Sequence, residues 1–409
     1  MMSGKMMSGK MIGGKMMSGK MIGGKMMSGK MIGGKMIGEG GYGCVYYPPI
    51  NCDGVQEQTK KYVSKIQKYN SSAKSEILIG DIIRSISHYN NFFAPVIHHC
   101  KQIDLSKFSS SIVDKCDLFK KKNNNKYIIT KSEYVGKYDI FEYIIHSENN
   151  KHLILNILTT YTYLLKGIQK LISKNIVHYD LKGGNIMFNT SQNVPKIIDF
   201  GLSINMDNIT VKNMKDFFYI YATDYYIWAP EIHYLSYIAN INSNPSKKDI
   251  HEIAESIVKN NSSLINLYST SFIKKYMDAL KHFLLKFHGK TPSKVLEIMR
   301  KYYDTWDNYS ISLLFMKIIY YLNIRGFSDN KFIIFFSQLL LQNIHPDPDR
   351  RLSIKDTISL FNNYFYGQKL DSERDYLELL VSLQKNKKSI ISEIHTDSRH
   401  LNNVIIHKE

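Results

Sequence analysis

The run His178-Tyr179-Asp180-Leu181-Lys182-Gly183-Gly184-Asn185 sets a carboxylate, an ammonium and an amide at fixed offsets, and Asp199-Phe200-Gly201 adds a second carboxylate fourteen residues further on. Each residue type alone is common. In this order they supply what transfer of a phosphoryl group from ATP requires. Asp180 can accept a proton from an attacking hydroxyl, and Lys182 can offset charge on the moving group. Asn185 and Asp199 offer hard oxygen donors to magnesium on the phosphates.

Two further features bear on the phosphates. Gly38-Glu39-Gly40-Gly41-Tyr42-Gly43 precedes Cys44-Val45, and glycines let a strand turn press its N–H groups against phosphate oxygens where a Cβ would collide. In a glycine-rich terminus such a run is a weak signal. A dinucleotide-binding turn is excluded, because Cys44-Val45-Tyr46-Tyr47-Pro48-Pro49 cannot form the helix that must follow its glycines. Lys65, in Tyr62-Val63-Ser64-Lys65-Ile66, lies on a strand by alternation and points away from the face of Ser64 and Ile66. There it can pair with the α and β phosphates if an acid holds its ammonium. Glu76 on the following helix is the candidate acid, with Asp81 on the same helix as the alternative.

The elements that must position these groups follow from periodicity. Gly38 to about Gln67 reads as two or three strands, and Ala73–Ser87 as a helix with Ile79, Ile82, Ile83 and Ile86 on one side. A strand pair is predicted over Phe92–His98 and Lys126–Glu133, joined across the polar run Lys120–Lys126. After Gly136 the pattern turns helical. His152–Ser173 carries Leu153, Ile157, Leu158, Tyr161, Leu164, Leu165, Ile168 and Ile172 as a stripe for burial. Residues 240–300 are mostly helical with little visible chemistry, and one more helix is predicted over Arg374–Gln384. Residues 1–35 are seven pentads of Met-Met-Ser-Gly-Lys or Met-Ile-Gly-Gly-Lys. A five-residue period matches neither helix nor strand, so a disordered basic tail is expected.

Bulk composition narrows the class. The 409 residues are 44% hydrophobic with only 9 prolines, enough for a globular body with a large core. No apolar run is long enough for a membrane span, and the regularly spaced lysines break any leader sequence. The four cysteines form no dense framework and no CxxC pair, which fits unpaired thiols in a reducing compartment. His98, His99, Cys100 and Cys116 lack regular metal-ligand spacing. The net charge of +18 accompanies no nucleic-acid recognition motif, and seven of its lysines belong to the pentads. Nucleic acid is therefore not expected as the main partner.

Taken in order, the motifs resemble the eukaryotic-type protein kinases over residues 36 to about 365. The resemblance implies an α+β fold of two lobes, a small β-rich one over 36–135 and a larger helical one over 136–365. It implies a helical insertion at about 240–300, with 366–409 as a C-terminal helix and tail. ATP would lie under Ile37, Gly38, Glu39, Gly40, Gly41, Tyr42, Gly43 and Val45, with Lys65 and Glu76 as the paired phosphate contact. Ser132-Glu133-Tyr134-Val135 resembles the gatekeeper and hinge, Glu133 and Val135 holding the adenine, and Asp139 stands where the ribose is contacted. Asp180 would be the catalytic base, Lys182 would touch the γ-phosphate, and Asn185 and Asp199 would bind Mg²⁺. Ala229-Pro230-Glu231 resembles the end of the activation segment, and Arg351 the arginine that pairs with Glu231. Asp307 resembles the acid that clamps the catalytic loop. These three separate a protein kinase from small-molecule kinases, and the filled catalytic positions argue against a pseudokinase scaffold.

Lys182 resembles the serine/threonine branch, so protein hydroxyls are the implied substrates. The Asn-, Lys- and Ile-rich style, the insertion and Ser64-Lys65 resemble kinases of large DNA viruses, with an AT-rich protist as the alternative source. The implied place of action is the cytoplasm, that of a host if viral, or a virion. Tyr179 departs from the family, standing where an arginine usually receives the activation-loop phosphate. Activity is thus expected not to depend on that phosphate. Alanine at Thr210 or Thr223, or phenylalanine at Tyr219, Tyr221, Tyr225 or Tyr226, is expected to leave turnover nearly intact. The stretch from Thr223 to Ala229 is one residue longer than usual, and about 75 residues separate Glu231 from Asp307.

Overall fold

Alternating apolar residues build an antiparallel sheet in the first lobe. The computed structural model describes residues 35–40, 43–120, 126–146, 153–189, 194–323, 331–367, 400, 401, 403 and 404. Strands β1 (Lys35–Gly40), β2 (Gly43–Tyr47), β3 (Tyr62–Lys68), β4 (Val96–Ile103) and β5 (Tyr127–Glu133) lie in the order β1-β2-β3-β5-β4. β1 begins on Lys35, the last residue of the pentads, and the rest of the repeat lies outside the described residues. Helix α1 (Ser71–Arg84) starts at Asn70, whose side chain accepts the Ala73 N–H at 3.0 Å. Its face of Ala73, Glu76, Ile79, Gly80 and Ile83 is buried. The start is two residues earlier than the periodicity suggests, because Asn70 caps the first turn.

Three expectations for this lobe change. Of the predicted strand Phe92–His98 only Val96–His98 is strand. The Phe92 and Phe93 N–H groups turn back to the Tyr89 carbonyl at 2.9 Å, and the following residues bond to Ile197 in the other lobe. β4 therefore starts only at Val96, beyond Pro95. Second, an unpredicted insert follows β4, with short helices α2 (Ser110–Val113) and α3 (Asp117–Lys120). Phe108, Ile112 and Cys116 pack there against Cys44, Tyr46, Ile66 and Ile129, covering the outer face of the sheet. Third, the cysteines pair: Cys44 bonds Cys116 and Cys52 bonds Cys100. Separations of 72 and 48 residues leave no sequence signature, and the reducing-compartment reading loses its support. His98 lies within 4.8 Å of the Cys52–Cys100 pair, but both sulfurs are spent on each other.

The second lobe begins with β6 (Tyr138–Asp139), α4 (Ile140–His146) and α5 (Leu153–Ile172), the last as predicted. Short ladders follow: β7 (Ile176–Val177) pairs with β10 (Ile204–Asn205), while β6, β8 (Ile186–Asn189) and β9 (Val194–Ile197) form a three-stranded sheet. These ladders bracket residues 178–185 on both sides. Helices α6 (Met214–Phe217), α7 (Pro230–Asn240), α8 (Lys247–Asn260), α9 (Ser262–Leu267), α10 (Thr270–Leu285) and α11 (Pro292–Met299) come next. α12 (Trp306–Asn323), α13 (Lys331–Asn343) and α14 (Ile354–Gly367) complete the lobe. α12 is buried on all sides over Trp306–Ile319, which makes it the axis of the core.

The stretch 240–300 is helical as expected. α8 opens with a reciprocal cap: Ser246 Oγ accepts the Asp249 N–H at 3.2 Å, and Asp249 accepts the Ser246 N–H at 2.8 Å. Its apolar residues Ile250, Ile253, Ala254, Ile257 and Val258 recur at helical spacing and face the core. The predicted helix Arg374–Gln384 and most of the Lys120–Lys126 run lie outside the described residues. No described helix is long and apolar enough to cross a membrane.

Candidate active site

The loop 178–185 is held by one buried carboxylate. Asp307, in the first turn of α12, accepts the N–H groups of His178 at 2.7 Å and Tyr179 at 3.0 Å. Burial pushes the Asp307 carboxyl up, opposed by nearby His178 and by those two N–H donors. Tyr179 is thereby fixed at φ 71°, a left-handed conformation that costs a bulky residue about 1–3 kcal/mol. A hydrogen bond from Trp228 Nε1 to the Tyr179 carbonyl, 2.8 Å, also secures it. The His178 ring spans the loop, with Nε2 on the Ile198 carbonyl at 3.0 Å and Nδ1 accepting the Asp180 N–H at 3.3 Å.

Asp180 is the convergence point. Its Oδ2 accepts from Lys182 Nζ at 3.0 Å and Asn185 Nδ2 at 2.9 Å, and its Oδ1 accepts from the Tyr225 hydroxyl. Asn185 Nδ2 also donates to the Asp180 carbonyl at 2.9 Å, so its amide oxygen faces the other way. Asp180, Lys182 and Asn185 thus form one hydrogen-bonded unit.

Across the cleft, Lys65 sits between two carboxylates. Its Nζ is 3.0 Å from Asp199 and 3.4 Å from Glu76. Gln67 Nε2 fixes Glu76 at 2.7 Å, whereas Asp81 pairs with Arg84 on the surface, which decides between the two candidate acids. Burial alone would lower the Lys65 pKa, but Asp199 and then Glu76 reverse this, so the ammonium is held above its ordinary value. Burial also pushes Asp199 up, yet the Lys65 ammonium, with Lys182 and His178, brings it to about 2. Glu76, with the longer contact, is pushed up by burial against the pull of Lys65. Phe200, fully buried, packs edge-on against Phe93 at 6.1 Å and His178 at 4.9 Å. Ser72 at the start of α1 donates to the Gly201 carbonyl at 2.8 Å. The two lobes are therefore joined at the Asp199 turn.

The roof and hinge are less uniform than their motifs suggest. Ile37 is exposed and Gly38 lies beside Val45; Gly41 and Tyr42 fall outside the described residues. Glu39 is turned to the α2–α3 insert, accepting the Asp117 N–H at 2.7 Å. Gly40 pairs with Gly43 at the strand ends. At Gly43 a Cβ would meet the Ile66 carbonyl at 2.5 Å, so β3 itself demands this glycine. At the hinge, Glu133 takes Lys196 at 2.7 and 2.8 Å, Tyr134 N–H bonds the Lys61 carbonyl, and Val135 is buried. Asp139 Oδ1 caps α4, accepting the N–H groups of Phe141 and Glu142 at 2.9 and 2.8 Å.

Beneath the site, Arg351 Nη1 and Nη2 meet the two Glu231 oxygens at 2.8 and 2.9 Å, with both side chains fully buried. This bidentate pair ties the residue after Pro230 to the α13–α14 connection. Residues 32–360 match the protein kinase domain family. The chain belongs to that family.

Among relatives, the mouse interferon-induced, double-stranded RNA-activated protein kinase is 27% identical over 174 residues. The match covers 42% of this chain and 30% of that protein, so the chain spans less than a third of its length. Among solved structures, the twitchin kinase region from C. elegans superposes with a TM-score of 0.42 at 16% identity, covering 88% of this chain and 50% of that one. The autoinhibited serine kinase domain of the giant muscle protein titin gives 0.39 at 15% identity, with 87% of each chain covered. The α+β fold of a protein kinase, with a β-rich lobe and a larger helical lobe, is the architecture seen here.

Two features of this kinase domain escape sequence reasoning. The hydroxyl on Asp180 belongs to Tyr225, while Thr223, itself buried, turns away to share a 2.6 Å hydrogen bond with Ser256 on α8. The extra residue before Ala229 was the only hint. The second feature is the contact of Glu39 with the insert, for which no spacing gives a signal. The residues present do fit a nucleotide with its metal. Asn185 and Asp199 present oxygens of the hard type that Mg²⁺ prefers, and Lys65 supplies a fixed cation for phosphate oxygens.

Proposed function

We propose that the chain is a serine/threonine protein kinase that transfers the ATP γ-phosphoryl group to protein hydroxyls. The observation that carries this is Asp180, oriented by Lys182 and Asn185 and facing a cleft in which Lys65 is fixed by Glu76 and Asp199. Asp180 accepts the proton of the attacking hydroxyl. Lys182 stays on the same carboxylate and offsets charge on the moving group. Lys65 holds the phosphates of ATP, and the backbone of residues 133–135 faces the adenine. Mg²⁺, when held by Asn185 and Asp199, neutralises charge on the phosphates. Catalysis by such a site is positioning and electrostatics. The test is labelled ATP with a generic basic protein, followed by phosphoamino-acid analysis. Label on serine and threonine is expected with the wild type and is absent with Lys65→Met. Equal label in both removes Lys65, and with it this reading.

Independence from activation-loop phosphate has support of its own. Tyr179 is buried, its ring 4.8 Å from that of Trp228 and 6.4 Å from that of Phe218, and burial holds its hydroxyl neutral. An aromatic cluster thus occupies the place of a phosphate-binding cation. Thr210→Ala, Tyr219→Phe and Tyr221→Phe are expected to keep turnover within about twofold of wild type, since the cluster's backbone is anchored by Asp307 and Trp228. A collapse of turnover in the phosphate-blocking variants is the contrary result. The same expectation no longer extends to Thr223, Tyr225 and Tyr226, which hold structural hydrogen bonds. The Asn-, Lys- and Ile-rich composition and Ser64-Lys65 support placing the chain among kinases of large DNA viruses, acting in host cytoplasm or a virion.

A further inference from the structure

The activation segment ends in a run whose side chains alternate between three anchors. Thr223 Oγ1 meets Ser256 Oγ at 2.6 Å and accepts from Asn260 Nδ2 at 3.0 Å, both on α8 of the insertion. Tyr226 accepts from the buried Lys317 on α12 at 2.8 Å, and the Ile227 carbonyl accepts from Ser310, also on α12, at 2.8 Å. Between these anchors Tyr225 points the opposite way. Its fully buried ring packs 4.8 Å from that of Trp228, and its hydroxyl donates to Asp180 Oδ1. Lys182 Nζ lies 3.5 Å from the same hydroxyl and 5.9 Å from the ring centroid.

A carboxylate offers about four acceptor sites. On Asp180 two are taken at Oδ2 by Lys182 and Asn185 and one at Oδ1 by Tyr225. That leaves one site on Oδ1 for an incoming hydroxyl. Without the Tyr225 hydroxyl, both lone pairs of Oδ1 open to water and Lys182 loses its second oxygen neighbour.

Resting on the kinase reading above, we propose that Tyr225 is a positioning residue that aims Asp180 and Lys182 at the acceptor hydroxyl, and that the helical insertion sets it there through the α8 clamp on Thr223. The insertion thereby has a role in the reaction: it takes over, by hydrogen bonds, the anchoring of a segment that faces Tyr179 rather than a phosphate-binding arginine before Asp180.

The test uses the full chain, Mg-ATP and the generic basic protein. Tyr225→Phe keeps the ring against Trp228 and removes only the hydroxyl, so kcat is expected to fall about 10- to 100-fold, as small misplacements of reacting groups do, with KM for ATP unchanged. Ser256→Ala with Asn260→Ala, at half-buried and exposed positions that the fold tolerates, is expected to lower kcat several-fold on its own. In the Tyr225→Phe background the same pair should lower it no further. A merely structural clamp would lower kcat by the same factor in both backgrounds, and that result overturns the coupling. Unchanged or raised kcat in Tyr225→Phe overturns the positioning role, a rise marking the hydroxyl as a plug on Asp180. An inactive wild type strikes the kinase reading itself, which separates the two failures.

Discussion

Asp199→Ala is expected to cut phosphoryl transfer by about 10³-fold or more, because it removes a carboxylate that would hold Mg²⁺ against the phosphates, where the cation offsets their negative charge. From a typical rate of roughly 1–100 s⁻¹ on a good substrate, that is loss to background. Lys65 at 3.0 Å holds the Asp199 carboxyl down at about 2, so it is ionised near neutral pH. The substitution leaves Glu76, itself fixed by Gln67, to hold Lys65, and Phe200 stays buried, so the lobes remain joined. Labelled ATP reads the loss directly. A metal titration of nucleotide binding gives a second readout: Mg²⁺ should tighten ATP binding to the wild type and not to the variant. Equal transfer by both proteins would sink the assignment of Asp199 as a metal ligand.

Arg351→Met carries the largest expected loss of stability, about 3–5 kcal/mol, since it strands the Glu231 carboxylate in the core. Arg351 meets both Glu231 oxygens, donates to Thr305 at 3.1 Å and to the His345 carbonyl at 2.8 Å, and lies 5.2 Å from the Tyr309 ring centroid. A total folding free energy of about 5–15 kcal/mol leaves little after such a loss. Urea unfolding should show a much lower midpoint with an unchanged slope. Glu231→Gln combined with Arg351→Met should recover a substantial part, because no lone charge remains buried. A single variant within about 1 kcal/mol of wild type contradicts the buried-charge account.

How much of this was legible in the sequence depends on how far apart the partners are. The unit of Asp180, Lys182 and Asn185 is local, so offsets alone announce it. Glu231 with Arg351, and Asp307 with His178, are distant, yet their residue types match a family in which those pairs recur. Lys65 with Glu76 was legible up to the choice of acid, which the packing of Gln67 settled. The cysteine pairing, the insert over α2 and α3 and the start of β4 were not legible. Each depends on which surface covers the sheet, and alternation within one strand says nothing about its cover. Phe92 and Phe93 look like strand residues because they are apolar, but Phe93 is buried, and Phe92 half-buried, against the other lobe. Tyr225 was hidden for a subtler reason. A single extra residue before Ala229 changes which hydroxyl faces Asp180, and sequence order does not reveal which way the segment rotates.

The chain has only two tryptophans, Trp228 and Trp306. Both are fully buried, Trp228 against Tyr179 and Tyr225, and Trp306 against Phe218. Its tryptophan fluorescence, excited apart from that of the tyrosines, therefore originates entirely where the activation segment meets the catalytic loop and the core helix beneath it. No label is needed to watch that segment. A blue-shifted emission reports it docked, and a red shift marks its release to water, whatever the nucleotide cleft is doing.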